Sequence, residues 1–164
     1  MTDAGWEQRV ADLWGSLDHY PEEDFLARMD ELAAELPAGS PRAAYERGSA
    51  FDSTGHSDRA VPLYREALQR GLDDSLRRRA VIQLASSLRN LGEADESVRL
   101  LEAERDRTSD ELDDAVTAFL ALALVDADRE REAAAILLKA LAKHLPRYQR
   151  SAANYARALT DQAG

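Results

Sequence analysis

Ser53 and His56 stand three positions apart in this chain of 164 residues, and Asp126 and Asp128 stand two apart. A hydroxyl beside an imidazole is the start of a nucleophilic site, and closely spaced carboxylates can hold a cation. Neither pattern is complete. Ser53 and His56 lack an acid to orient the imidazole and the strained turn that exposes a catalytic serine. Asp126 and Asp128 fall where a solvated turn between helices is expected. The histidines, His19, His56 and His144, give no pair at the i, i+4 spacing of a helical metal site, and no Glu-x-x-His segment occurs. No glycine-rich phosphate loop is present, and there is no cysteine to serve as thiolate ligand or nucleophile. These residues argue against an enzyme, a metal site or a cofactor. His144, near a helix end, reads as a partner of the helix dipole.

Binding is the chemistry that remains, and charge limits what is bound. The net charge of -10 argues against nucleic acid, whose affinity rests on neutralising phosphates. The charge is uneven: residues 1–40 carry net -8, residues 41–145 net -4, and residues 146–164 net +2. Hydrophobic residues at 45% suffice for a core, so a disordered chain is excluded. The longest apolar run, Ala118 to Val125, is too short to span a bilayer, and Met1 to Trp6 lack the basic start of a signal peptide. A soluble protein without disulfides is expected, with the reducing cytoplasm as its compartment.

The elements that would position binding groups are all helical. Pro21 with Glu22, Glu23 and Asp24 suits a first helical turn, Ser40-Pro41 repeats that start, Ser57-Asp58 can cap another helix, and Thr108-x-x-Glu111 has capping-box spacing. Pro62 falls about one turn into the helix begun at Ser57, so an irregular start is expected there. Gly55, Gly71 and Gly92 end apolar-periodic runs. These marks predict helices over 5–17, 21–36, 41–54, 57–70, 74–90, 93–106, 109–126, 129–144 and 147–162, joined by connections short enough to make neighbours antiparallel. Ala133, Ile136, Leu137, Ala140 and Leu141 give the clearest single-face stripe.

The helices repeat in pairs. Gly48, Phe51, Gly55, Ala60, Tyr64 and Ala67 correspond, 37 residues on, to Ala85, Leu88, Gly92, Ser97, Leu101 and Glu104. A further 36 residues on they correspond to Ala121, Leu124, Asp128, Ala133, Leu137 and Ala140. A degenerate unit lies 35 residues upstream of the first of these, with Phe25, Met29 and Leu32 at second-helix positions. Small residues at these intervals let two helices close together, and aromatics fill the space left over.

This pattern resembles the tetratricopeptide repeat, with its small residue and aromatic in the first helix, its alanine and aromatic in the second, and a period near 34 residues. The resemblance covers about residues 6–145. Departures include Leu72 where a proline would close the unit and Asp128 in place of a turn glycine, a swap that costs little because Asp tolerates the left-handed conformation. The resemblance implies an all-α, right-handed superhelical stack of hairpins forming a single domain over residues 1–164. Its units would be about 6–37, 41–72, 74–108 and 109–145. The helix at 147–162 would cap the stack, with Ser151, Ala152, Ala156 and Leu159 inward and Arg147, Gln149, Arg150, Arg157 and Gln162 on the polar side.

The resemblance also implies that first helices line a concave groove. The positions selected are Arg42, Tyr45, Glu46, Ser49 and Asp52 in the second unit, and Arg79, Ile82, Gln83, Ser86, Arg89 and Asn90 in the third. The fourth adds Ala115, Ala118, Phe119, Leu122 and Val125, and the capping helix can add Arg150, Asn154 and Arg157. Arg and amide side chains suit carboxylates and peptide backbone, so the expected partner is a protein or peptide with acidic and apolar residues, held extended or helical. Glu46 and Asp52 count against a strongly acidic one. The lysine and asparagine clamp by which some members hold a C-terminal carboxylate is absent, because Tyr45, Ser49, Gln83, Ala115 and Phe119 occupy its positions. The alternative is a homo-oligomer assembled head to tail, acidic start against basic end.

Overall fold

The computed structural model describes residues 4–107 and 109–161. Among them nine α-helices follow one another: α1 (Ala4–Trp14), α2 (Glu22–Ala34), α3 (Pro41–Ser53), α4 (Ser57–Arg70), α5 (Asp74–Asn90), α6 (Ala94–Arg107), α7 (Asp113–Asp126), α8 (Glu130–Ala142) and α9 (Gln149–Asp161). A short 3-10 turn, Leu17–His19, leads from α1 to α2, and the described residues contain no strand. Boundaries agree with the sequence to within about 2–4 residues. The start of α7 departs most. There the Asp110 and Asp113 carboxylates accept from the backbone N–H groups of Leu112 (2.7 Å) and Asp110 (3.2 Å), so the chain turns before the helix begins. Thr108, and with it the expected capping box, lies outside the described residues.

The helix starts follow local chemistry, with two differences. Ser40 accepts from the Ala43 N–H at 3.3 Å, with Pro41 in the first turn where a missing N–H is harmless. At α4, however, His56 holds the N-cap position, no side-chain cap bond forms, and Ser57 is buried as the first helical residue. The expected irregular start is also not seen: α4 runs continuously through Pro62. Pro62 and Asp58, whose carbonyl loses its partner, are both exposed, so water can satisfy the freed acceptor.

One turn recurs three times. Gly55, Gly92 and Asp128 adopt φ of 85°, 84° and 57°. Just after each, the N–H of His56, Glu93 or Arg129 donates back to Phe51, Leu88 or Leu124 at 2.8–2.9 Å. The left-handed residue is what lets this bond close the helix, and Asp serves in the third turn as expected. The repeat read from the sequence is thus a repeat of backbone geometry.

The chain packs as two compact units, Met1–Ser87 and Leu88–Gly164. In the first, Leu13, Phe25, Met29 and Ala50 form a core, with the Trp14 ring meeting Phe25 edge-on at 5.2 Å. Gly48 lets α3 approach α4: a Cβ there would stand 3.2 Å from the Tyr64 ring and 3.3 Å from Leu63 Cβ. Ala60, Tyr64 and Ala67 are fully buried against it.

In the second unit α7 packs against both α6 and α8, and α9 packs on α8. Val116, Leu120, Ala121, Ala123 and Leu124 are buried, whereas Leu122 and Val125 on the other face of α7 are exposed. The stripe expected on α8 is not the buried one. Ala133, Ala135 and Ala142 are buried, while Leu137 and Leu141 are 44% and 53% exposed. Tyr64 and Leu101, the earlier equivalents of Leu137, are completely covered. No hairpin follows α8 among the described residues to cover its position, since α9 comes alone. On α9 only Ala156 is buried; Ala152 and Leu159 are half-buried, and Ser151 is exposed rather than inward.

Candidate functional site

A cleft of about 320 Å³ opens in the first unit, between α1, α3 and α5. Helix α1 contributes Glu7, Val10, Ala11 and Trp14; α3 contributes Arg42, Tyr45, Glu46, Ser49 and Ser53; α5 contributes Leu76, Arg79 and Gln83. Five of the groove residues selected from the sequence, Arg42, Tyr45, Ser49, Arg79 and Gln83, therefore line one concavity. The start of α5 is fixed by Asp73, whose carboxylate accepts from Ser75 Oγ (2.6 Å) and the Leu76 N–H (3.1 Å). Those bonds hold the Asp73 carboxyl below its ordinary range. They leave Arg79 free of the Asp73 pairing that its proximity in sequence suggests.

The α1 and α3 walls are tied by charge. Arg42 Nη2 donates to Glu7 at 2.9 Å, and its Nε lies 2.8 Å from Glu46 Oε1 in an ion-pair contact without hydrogen-bond alignment. Its guanidinium also sits 5.4 Å from the centre of the Trp6 ring. Trp14 Nε1 donates to Glu46 Oε2 at 2.9 Å, so the 3%-exposed Glu46 carboxylate has two partners and Trp14 is held in the cleft wall. Glu7, Arg42 and Glu46 thus form a chain of alternating sign, one negative charge in excess.

The α5 wall differs. Arg79 is exposed and makes no ion pair or hydrogen bond among the described residues. Gln83 Oε1 is buried and has no hydrogen-bond partner. Between the walls, burial pushes the Tyr45 hydroxyl upward, opposed by the positive charge of Arg79 and a hydrogen bond with Ser49.

Behind the cleft lies a polar layer. Tyr64 OH donates to Asp52 Oδ2 (3.3 Å) and Ser49 Oγ (3.4 Å), and Ser87 Oγ donates to Asp52 Oδ1 (2.7 Å). Burial raises the Asp52 carboxyl above its ordinary value of 3.8, with those donors acting against the rise. Asp52, expected on the groove, instead bridges three helices. Burial likewise pushes the Tyr64 hydroxyl up.

The remaining groove residues divide as follows. Ile82 is buried and Ser86 half-buried, and neither lines the cleft. In the second unit Arg89 Nη1 donates to Asp126 Oδ2 at 2.9 Å, so Asp126 has a cation partner within the chain. Phe119 is half-buried and Leu122 exposed on α7; Asn90 and Arg150 are exposed, and Arg157 donates to Asn154 along α9. His144, expected at a helix dipole, instead meets Asp114 at 2.9 Å beside Lys143. His56 meets Glu22 at 2.5 Å. No group of three His, Asp or Glu able to hold a metal occurs among the described residues. No helix there is long and apolar enough to cross a membrane.

The sequence reading missed the α1 wall, although its own register contains it. Glu7, Val10, Ala11 and Trp14 lie 35 residues before Arg42, Tyr45, Glu46 and Ser49, the same offset that relates the degenerate first unit to the second. The unit's weak similarity hid the equivalence.

A search of curated protein sequences returns no significant match. Among solved structures, TPR-like repeats of a putative kinesin light chain from Podosopora anserina superpose with a TM-score of 0.72 at 17% identity, over 96% of this chain and 87% of that one. The MamA protein superposes with a TM-score of 0.62 at 18% identity, over 83% and 71%. These likenesses concern the fold, an all-α TPR-like solenoid. The family model for the tetratricopeptide repeat matches residues 41–159, well over half the chain, and the protein belongs to that family.

Proposed function

We propose that the protein is a non-catalytic interaction module and that the cleft between α1, α3 and α5 receives a segment of another protein. The observation that carries this reading is the convergence of Arg42, Tyr45, Ser49, Arg79 and Gln83 on one concavity with the Trp14 ring in its wall. A concavity of this size lined by aromatic and aliphatic surface, with few polar groups, is the usual form of a recognition site. Unpaired Arg79 and Gln83 give it polar groups not already used within the fold. A displayed library of random linear peptides, selected on the wild-type protein, tests it. Ser53→Trp fills the cleft from an exposed position; selected peptides should lose at least about ten-fold in affinity for that variant. Unchanged affinity would remove the cleft from the account.

A second reading, head-to-tail self-association, is supported by the exposed Leu137 and Leu141 on one face of α8 and by the exposed Tyr148 beyond it. The acidic start of a second copy would meet the basic α9 end. Light scattering across salt and protein concentration decides it: mass should rise at low salt, and a monomer under all conditions removes the reading.

A further inference from the structure

We infer that the cleft takes its partner as an extended strand, with one backbone peptide unit paired to the Gln83 amide and a single carboxylate directed to Arg79. The inference rests on the cleft reading above and specifies the conformation and charge of what enters.

The Gln83 amide supports the first part. Its buried oxygen has no donor, and neither end of the amide is hydrogen-bonded among the described residues. Turning the amide over exchanges the unpaired oxygen for an unpaired N–H without moving the chain. An occupant must therefore offer both a donor and an acceptor to suit either arrangement. An extended backbone offers N–H and C=O at each residue. A helix has bonded nearly all of its own internally, and with side chains it measures about 10–12 Å across. A cleft of about 320 Å³ has room for a few side chains rather than a helical cylinder.

Charge supports the second part. Arg42 is held between Glu7 and Glu46, and this α1–α3 side carries an excess negative charge. Arg79, on α5, is the lining cation without an acid partner. One carboxylate placed at Arg79 completes the cleft, whereas a second one near Glu7 and Glu46 is repelled. An acidic run fits poorly, which narrows the expectation of acidic and apolar residues to one acid beside apolar side chains. Leu76, Val10 and Trp14 offer the apolar surface for those.

The probe is a peptide selected from the linear library, resynthesised with each backbone nitrogen methylated in turn. The expected result is one position at which methylation weakens binding by about three- to ten-fold, the usual worth of one hydrogen bond. In Gln83→Met, which keeps the length but removes the amide, wild-type affinity should fall by a similar factor and methylation there should cost nothing more. Arg79→Gln should weaken binding about ten-fold, and replacing the peptide's single acid should weaken it no further in that variant. A peptide that Ser53→Trp excludes, but that is bound as a helix or is indifferent to methylation and to Gln83→Met, would overturn this inference and leave the cleft reading standing. A peptide indifferent to Ser53→Trp would overturn both.

Discussion

Trp14 Nε1 donates to Glu46 Oε2 at 2.9 Å across 32 residues of sequence, joining the first helix of a degenerate repeat to the first helix of the best-formed one. The bond gives a buried carboxylate a second partner and orients the indole that walls the cleft. Glu46→Gln keeps an acceptor for the indole and should cost about 1 kcal/mol in urea unfolding. Glu46→Ala leaves Trp14 and part of Arg42 without a partner and should cost about 2–3 kcal/mol. Equal losses for the two would mean that the hydrogen bond contributes nothing.

Gly48 tests the closeness of α3 and α4. Alanine is favoured in a helix by about 1 kcal/mol, but its Cβ would crowd the fully buried Tyr64 ring at 3.2 Å, so the two effects nearly cancel. Gly48→Ala should lie within about 1 kcal/mol of wild type, and Gly48→Val should lose about 1–3 kcal/mol to overpacking. A stable valine variant would contradict the packing.

The recurring turns make opposite predictions at equivalent positions. Nothing lies within 4 Å of a Cβ at Gly92, so Gly92→Ala meets backbone strain alone and should lose about 1–2 kcal/mol. Asp128→Gly relieves a φ of 57° and should gain up to about 1 kcal/mol, read from the midpoint of thermal or urea unfolding.

Much of this was legible in the sequence because turn chemistry is local. Gly55, Gly92 and Asp128 index the hairpins by themselves, and Ser40-Pro41 marks a helix start without help from packing. Tertiary contacts were not legible in that way. Asp52 sits at a groove position but finds Tyr64 and Ser87 first, and Leu137 repeats Tyr64 without the following hairpin that covers it. Nothing local announces that Asp73 caps α5 rather than pairing with Arg79. The α1 wall was the exception, since the 35-residue offset reaches Glu7 and Trp14 directly.

Two aspartates should report pH with opposite signs. Asp52 has a raised carboxyl, so it binds its proton more tightly folded than unfolded; its contribution is largest at low pH and is lost as pH rises from 3.8 through the folded value. Asp73 has a lowered carboxyl, so its contribution is present above 3.8 and is lost as pH falls through the folded value. Urea unfolding from pH 3 to pH 7 should show Asp52→Asn gaining on wild type as pH rises. Asp73→Ala should lose about 0.5–2 kcal/mol at pH 7 and progressively less on acidification.

The most direct measurement of the central claim is a heteronuclear NMR titration of the full chain with a library-selected peptide. Binding in the cleft predicts that the largest shifts fall on the Trp14 indole N–H, the Gln83 side-chain amide and the backbone around Tyr45 and Arg79. Shifts confined to α4, α6 or the exposed face of α8, with the Trp14 and Gln83 signals unmoved, would contradict it.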